Sequence, residues 1–285
     1  MYKRQQLIFG DPDVITGGVF APRGKAVDHG DHYRVSGRWA WGSGSANCRW
    51  LAGGCLVSSD GEIVKTDDGR PDIRMMIFPT DQVEFHDSWH VMGLRGTGSG
   101  DFEVSDLKVP KSRSISLVSD RPRAKTPLYK FPVFGLLAIG ITGVAVGNGR
   151  AAIQKIKSLG ERKSLTTKGY FQKAIGKMET DWMSSRQNLI DEIDKVWNVA
   201  LSPNDISLKN RAALRLACTH ATRKNSDICR RVYELGGGDA LFEKNGIERC
   251  FRDAFAMTQH IMVGEAIYEI AGRIMLDIPT DTSLI

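Results

Sequence analysis

A change of hydrophobic period near Pro127 constrains the fold of this chain more than any other feature. Beyond it, apolar residues recur at steps of three and four, with one seven-residue gap, as on one face of a helix. They are Phe171, Ile175, Met178, Trp182, Leu189, Ile193, Val196 and Ala200. A stripe of about thirty residues predicts a long helix that packs along partner helices in a bundle.

Three further segments complete the predicted bundle. Helical patterns run from about 207 to 235, where three glycines follow, and from about 247 to 276. Residues 131–149 carry no charge and nearly reach the length of a membrane span, but they contain Pro132 and five glycines. We therefore expect a buried helix there, which packs closely on its neighbours through its small residues.

The part before Pro127 has the short period of β-strands. Apolar or alternating runs occur at residues 33–37, 49–58, 73–78, 102–104 and 107–110, with turn signals between them. Such runs predict a small antiparallel barrel or sandwich. The predicted fold class is therefore α+β, with a β-barrel domain over residues 1–126 and a C-terminal four-helix bundle over residues 127–285.

The charges and cysteines argue against several classes of function. A net charge of +6 is compatible with a nucleic-acid ligand. However, the 39 basic residues are interleaved with 33 acidic ones, and the sequence has no run of five or more Lys or Arg residues. We therefore predict neither nucleic acid nor a membrane as a partner. Five cysteines without a CxxC pair or a histidine at ligand spacing indicate no disulfide framework and no metal site. With a polar start at residues 1–6, free buried thiols predict a cytoplasmic protein.

Two glycine-rich stretches in the β part have the composition of ligand-binding loops. Residues 36–45 read SGRWAWGSGS, where glycines beside two tryptophans let a flat ligand approach the backbone. Residues 89–101 read WHVMGLRGTGSGD, in which four glycines, a cation and two hydroxyls could cradle a phosphate or a polar ring edge. Taken singly, each stretch also fits an ordinary turn or loop, and the second lacks the ending of a P-loop.

Two further stretches lie in the helical part. The triple glycine at 236–238 exceeds what the end of a helix needs, and it indicates close approach by a ligand or a neighbouring chain. In residues 248–260, helical spacing puts His260 on a similar side to an Arg/Asp cluster, formed by Arg249, Arg252 and Asp253. A lone helical histidine is usually structural, but the neighbouring cluster favours a chemical role.

In this order, these stretches resemble the acyl-CoA dehydrogenase superfamily over nearly all of the chain. The most specific parts are GLRGTGSGDF at 93–102 and ERCFRDAFAMTQH at 248–260. They look most like the two-component flavin monooxygenases that hydroxylate aromatic compounds. The resemblance implies a homotetramer whose subunits have an N-terminal helical domain, a β-barrel and a four-helix bundle. The last two match the two predicted domains, and the first is not expected within this chain.

The resemblance also implies a cofactor and the residues that meet it. Reduced FMN or FAD, supplied by a separate flavin reductase, would lie between the β domain and the bundle. There it would react with O2 and a small-molecule substrate. The hydroxyl of Ser43 would face the reactive edge of the flavin. The residues implied to bind the cofactor are Trp41, Ser43, Gly44, Arg95, Thr97, Ser99, Arg162, Gly236, Gly237 and Gly238.

His260 decides the expected branch of the superfamily. Dehydrogenases often carry a catalytic glutamate soon after the Arg-Asp pair, whereas here the next carboxylate is Glu265. Monooxygenases of the family place a histidine there, and a neutral imidazole can deprotonate a phenol-like substrate or hold the oxygen-bearing flavin. We therefore predict a flavin-dependent monooxygenase with His260 and Ser43 as catalytic residues. An acyl-CoA dehydrogenase is one alternative, and a non-catalytic helical assembly or basic binding protein is another.

Overall fold

The structure, a computed structural model, describes residues 2–117, 119–122 and 124–285. It divides into two compact units. The first comprises the residues up to Val91 together with Arg95–Pro122, and the second comprises Met92–Leu94 and the residues after Pro122. Strands form the first unit and long helices form the second, as the change of period predicts.

One mixed sheet forms the strand unit, after a short helix α1 (Tyr2–Phe9). In the described residues its strands are β1 (Thr16–Asp28), β2 (His32–Trp39), β3 (Trp50–Ser59), β4 (Glu62–Ile63), β5 (Ile73–Pro79), β6 (Glu84–His86), β7 (Asp101–Pro110) and β8 (Ser114–Ile115). Their order across the sheet is β6-β7-β2-β1-β3-β5-β8, with β4 paired to β3.

The α+β class is confirmed, and one strand pair departs from the antiparallel arrangement expected. Strands β1 and β3 pair in parallel, with Val27 opposite Ser58. The other described pairs are antiparallel. Residue alternation records which face of a strand is buried but carries no information about the direction of its neighbour. The sequence pattern therefore could not distinguish a mixed sheet from an antiparallel one.

Trp39 lies at the centre of the core of the sheet. Its side chain is fully buried, and its indole Nε1–H donates to the Gly54 carbonyl at 2.8 Å. The ring stacks on Phe102 with centroids 5.3 Å apart and lies 5.8 Å from the ring of Phe78. The tryptophan that ends β2 is thus a structural residue of this unit.

The helical unit contains four segments of the predicted bundle. They are α2 (Val133–Arg162), α3 (Gly169–Leu201), α4 (Leu208–Gly236) and a last segment that forms two helices, α5 (Ile247–Thr258) and α6 (Ala266–Met275). The prediction of one continuous helix from 247 to 276 is wrong. His260 has an extended backbone and caps a 3-10 turn, Ile261–Val263, which separates α5 from α6.

Helix α2 contains all but the first two residues of the uncharged stretch. Among the described residues it is the one helix that is long and apolar enough to cross a membrane by length and composition, with a mean hydropathy of 1.5. However, Ala138 of that stretch is fully buried in one cluster with Leu214 and Cys218 of α4. The core helix of a bundle meets the same criteria, and one face of α2 is buried as expected. The expected close packing through small residues holds for two of the five glycines, because a Cβ added at the other three would meet nothing within 4 Å.

Candidate functional site

Two of the predicted binding loops meet at one end of the sheet in the strand unit. The first loop follows β2 and the second precedes β7, and these strands are antiparallel neighbours with Trp39 opposite Phe102. The end of one strand therefore lies beside the start of the other. Backbone hydrogen bonds join the loops, from the Gly44 amide to the Thr97 carbonyl at 2.8 Å and from the Gly42 amide to the Gly100 carbonyl at 3.2 Å.

Three hydroxyls form a chain across these loops. The Oγ of Ser43 lies 2.8 Å from the Oγ of Ser99, which lies 2.7 Å from the Oγ1 of Thr97. Ser99 is 2% exposed, whereas Ser43 lies at the surface. The buried hydroxyl therefore fixes a surface hydroxyl through a hydrogen bond. The structure brings Ser43, Gly44, Thr97 and Ser99 together, as expected for one binding loop pair.

Trp41 and Arg95 flank this hydroxyl chain without joining it in the contacts described. Trp41 adopts a left-handed backbone with φ of 66°, which is uncommon for a bulky residue, and 65% of it is exposed. A strained turn that presents an aromatic ring to solvent favours a ligand-binding role. The Arg95 guanidinium donates from Nε to the Val91 carbonyl at 2.9 Å, which closes its own turn.

The Ser99→Ala substitution is expected to destabilise the strand unit, because it breaks both side-chain hydrogen bonds of the chain. Each such bond contributes about 0.5–1.5 kcal/mol. Ser43→Ala should have a smaller effect, since it removes one bond from an exposed residue. Urea unfolding followed by circular dichroism compares the two free energies of unfolding. Equal losses, or a larger loss for Ser43→Ala, would show that Ser99 does not organise these hydroxyls.

The helical unit contains His260, which lies beyond the end of α5. The expectation that it shares a helix face with Arg249, Arg252 and Asp253 is therefore wrong. The Nδ1 of its ring accepts a hydrogen bond from the Met262 amide at 3.2 Å. In the neutral ring the proton is then on Nε2, which becomes a donor at the surface of the unit. Desolvation of the ring, and second the positive charge of Arg215, lower the pKa of His260 below 6.5. Its neutral form therefore predominates at pH 7.

Arg162 lies near the triple glycine in the same unit. Its guanidinium donates to the Ser158 hydroxyl at 3.0 Å and to the Asn245 side-chain oxygen at 3.3 Å. Asn245 in turn donates to the Asp239 carbonyl at 2.7 Å, directly after the glycines. Glycines 237 and 238 are exposed, and a Cβ added at either would meet nothing within 4 Å. The turn thus has open backbone beside a cation, which suits an anionic group.

Residues 92–94 contact α5, which no sequence pattern predicted. The carboxylate of Asp253 accepts the Leu94 amide at 2.6 Å, and the guanidinium of Arg252 donates to the Met92 carbonyl. The Arg-Asp pair on α5 therefore holds backbone rather than substrate. The sequence contains both motifs, GLRGTGSGDF and ERCFRDAFAMTQH, but only the folded structure shows that the second binds backbone at the start of the first.

All five cysteines are free and buried in the structure. Burial raises the pKa of the thiols, to about 12 for Cys55 and to about 11 for Cys218, so neither is a thiolate nucleophile at neutral pH. Among the described residues, no group of three or more His, Cys, Asp or Glu side chains could hold a metal ion.

Comparison with known proteins decides the family. Residues 139–265 match the family described as acyl-CoA dehydrogenase, C-terminal domain. A pigment production hydroxylase of Rhodococcus erythropolis is 30% identical over 275 residues, which cover 90% of this chain and 69% of that protein. The chain belongs to the acyl-CoA dehydrogenase superfamily.

Further matches place this superfamily member on the flavin-dependent monooxygenase branch. An indole-3-acetate monooxygenase of Acinetobacter baumannii is 27% identical over 279 residues, which cover 95% of this chain and 69% of that protein. The crystal structure of the HsaA monooxygenase from M. tuberculosis is similar with a TM-score of 0.90 at 26% identity, covering 99% of this chain and 75% of that chain. The predicted branch is confirmed.

Proposed function

We propose that this superfamily member is the oxygenase component of a two-component system that hydroxylates a small aromatic or heteroatom-containing substrate. Reduced FMN or FAD and O2 are its co-substrates, and a separate reductase supplies the flavin. A relative from Rhizobium, 23% identical, is a FADH(2)-dependent resorcinol hydroxylase, oxygenase component. The dependence of that relative on FADH(2) supports reduced flavin as the co-substrate, and its description as an oxygenase component supports a separate reductase. The observation that carries the proposal is a neutral histidine, His260, where a dehydrogenase would need a carboxylate.

The nearest carboxylate along the chain does not fit a dehydrogenase base. Glu265 is 76% exposed at its side chain and pairs with Arg223 at 2.9 Å. A catalytic base must reach the substrate proton directly, whereas this carboxylate faces solvent and is already held by a guanidinium. This ion pair favours the monooxygenase over an acyl-CoA dehydrogenase.

Each unit contains residues that would suit part of a bound flavin. When bound, reduced flavin supplies the electrons with which O2 places one oxygen atom in the substrate and releases the other as water. The Ser43 hydroxyl, fixed by Ser99, would hydrogen-bond the polar edge of the ring, with Gly44, Thr97 and Arg95 in its loops and Trp41 as an aromatic surface. Arg162 and the backbone at Gly236–Gly238 would hold the phosphate.

The hydrogen bond to His260 makes it a donor rather than a base. Since Nδ1 accepts the Met262 amide, the neutral ring keeps its proton on Nε2. The imidazole would therefore donate a hydrogen bond to a substrate oxygen and orient the reacting carbon. Exclusion of water from a filled site would keep activated oxygen from escaping as hydrogen peroxide.

Two further features of the whole protein belong to this proposal. Five buried free thiols support a reducing compartment such as the cytoplasm. Exposed apolar side chains in the helical unit, including Leu276 at 72% and Ile261 at 63%, support assembly into a homotetramer. Sedimentation of the purified protein would measure the assembly.

The His260→Ala substitution is expected to lower hydroxylated product per O2 consumed by roughly tenfold or more, with the missing oxygen appearing as hydrogen peroxide. The assay supplies chemically reduced FMN or FAD anaerobically, adds O2, and tests indole-3-acetate and resorcinol as substrates. His220→Ala is the matched control, because His220 is an exposed histidine on α4. It should form product as the unmodified protein does.

Two results would contradict the proposal. Product yield that is the same in His260→Ala and in the control would remove His260 from the chemistry. Bleaching of bound FAD by an acyl-CoA without O2, with no affinity for reduced flavin added from solution, would identify a dehydrogenase instead.

A further inference from the structure

Arg215 is a buried cation in the helical unit without a charged partner. It lies on α4 and is 1% exposed, and it forms no ion pair with any described residue. A buried charge is costly unless other groups compensate for lost hydration. No sequence motif marks Arg215, because it stands alone within an apolar run of the helix.

Two backbone carbonyls provide part of that compensation, while the buried Nε has no hydrogen-bond partner within the described part of the chain. The Nη2 of Arg215 donates to the Met262 carbonyl at 2.9 Å in a buried bond, and its Nη1 donates to the Leu284 carbonyl. Ile285 is 4% exposed and belongs to a buried cluster with Ala271 of α6 and Ala212 of α4. Arg215 therefore joins α4 to the 3-10 turn and to residues 284–285.

Met262 connects this cation to the imidazole. Its carbonyl accepts from Arg215, while its amide donates to the Nδ1 of His260. The two bonds use the two polar groups of one residue, which is itself 6% exposed. Loss of the guanidinium would release the turn that carries the amide, and with it the hydrogen bond that sets the tautomer.

We propose that Arg215 is the positioning residue for His260, which it holds through Met262 as a neutral ring with its proton on Nε2. The guanidinium does this in two ways. It fixes the turn through hydrogen bonds, and its charge opposes the gain of a second proton by the ring. The consequence for catalysis depends on the function proposed for His260, whereas the effect on the ring does not.

The charges around the turn agree with this role. After desolvation, the charge of Arg215 on α4 is the other cause that lowers the pKa of His260. The two carboxylates nearest to His260 along the chain have other partners. The Asp253 carboxylate on α5 accepts a hydrogen bond from the Leu94 amide, and Glu265, just before α6, forms an ion pair with Arg223. Since the pKa is lowered, the ring stays neutral above 6.5. The contribution of the neutral ring to the stability of the fold is therefore complete above pH 6.5. It is lost as the pH falls from 6.5 through the lower pKa of the folded state.

The test is an NMR titration of the His260 ring in the full chain, with its signal identified by loss in His260→Gln. Arg215→Met removes both charge and hydrogen bonds, so the titration midpoint should rise, and exchange of the Met262 amide should become roughly fivefold faster or more. Arg215→Lys keeps the charge but cannot reach both carbonyls. Its midpoint should stay near that of the unmodified chain while amide exchange still becomes faster. Arg230→Met, on the same helix, is the control and should change neither, because Arg230 pairs with Asp227 and Glu234 of its own helix.

Unchanged midpoint and unchanged exchange in Arg215→Met would overturn the proposal. If that variant does not fold, Arg215→Lys decides, because normal protection of the Met262 amide in it would equally overturn the role. These measurements need no flavin. A chain that binds no reduced flavin but gives the expected titrations would therefore refute the proposed function and leave the role of Arg215 intact.

Discussion

Trp39→Ala is expected to lower the free energy of unfolding by about 3–5 kcal/mol, the usual cost of removing a buried aromatic side chain. The ring is fully buried between Phe78 and Phe102, so its loss leaves a cavity. Its Nε1–H also donates to Gly54, whose carbonyl would lose its partner. The neighbours that face the ring cannot fill the space, because three of them are glycines: Gly24, Gly37 and Gly53.

The control for this prediction lies two residues further along. Trp41 is 65% exposed, and Trp41→Ala should change the free energy of unfolding by no more than about 0.5 kcal/mol. Chemical denaturation followed by circular dichroism measures both, with unchanged slopes as the sign that the unfolding transition is comparable. Similar losses for the two variants would contradict the structural role assigned to Trp39.

Gly93→Ala is expected to release residues 92–94 from α5 and to destabilise the helical unit by about 1–3 kcal/mol. A Cβ at Gly93 would lie 2.2 Å from the Arg252 carbonyl oxygen and 2.9 Å from the Asp253 amide nitrogen. These are backbone atoms of a helix, so they cannot move away without distorting the helix. The Leu94 amide would then lose its bond to the Asp253 carboxylate and exchange with solvent at least about tenfold faster.

Gly96→Ala is the matched control, three residues along the same loop. A Cβ there would meet nothing within 4 Å, so stability and amide exchange should remain as in the unmodified protein. Hydrogen exchange read by NMR at Leu94, together with thermal unfolding, measures both variants. If the Leu94 amide exchanges as slowly in Gly93→Ala as in Gly96→Ala, residues 92–94 do not approach α5 as closely as described.

The local patterns predicted much of the fold and part of the candidate site. Helix α3 follows from its apolar stripe, because a period of 3.6 requires one buried face. The hydroxyl-rich loops follow from glycines placed beside Ser43 and Ser99. In contrast, the fourth helix was predicted to continue through His260, since apolar spacing persists across the break. The capping bond from Met262 that ends the pattern becomes visible only in three dimensions.

The sequence by itself determined the two kinds of secondary structure, the glycine-rich loops and, through its motifs, the branch of the superfamily. These are local properties, in which neighbours along the chain decide period, turn and motif. Only the tertiary structure decided that β1 runs parallel to β3, that the Asp253 carboxylate binds the Leu94 amide, and that Arg215 reaches Met262. Such contacts join residues far apart in the chain. Nearly every residue carries the same backbone amide and carbonyl, so the sequence does not show which of them a distant side chain will bind.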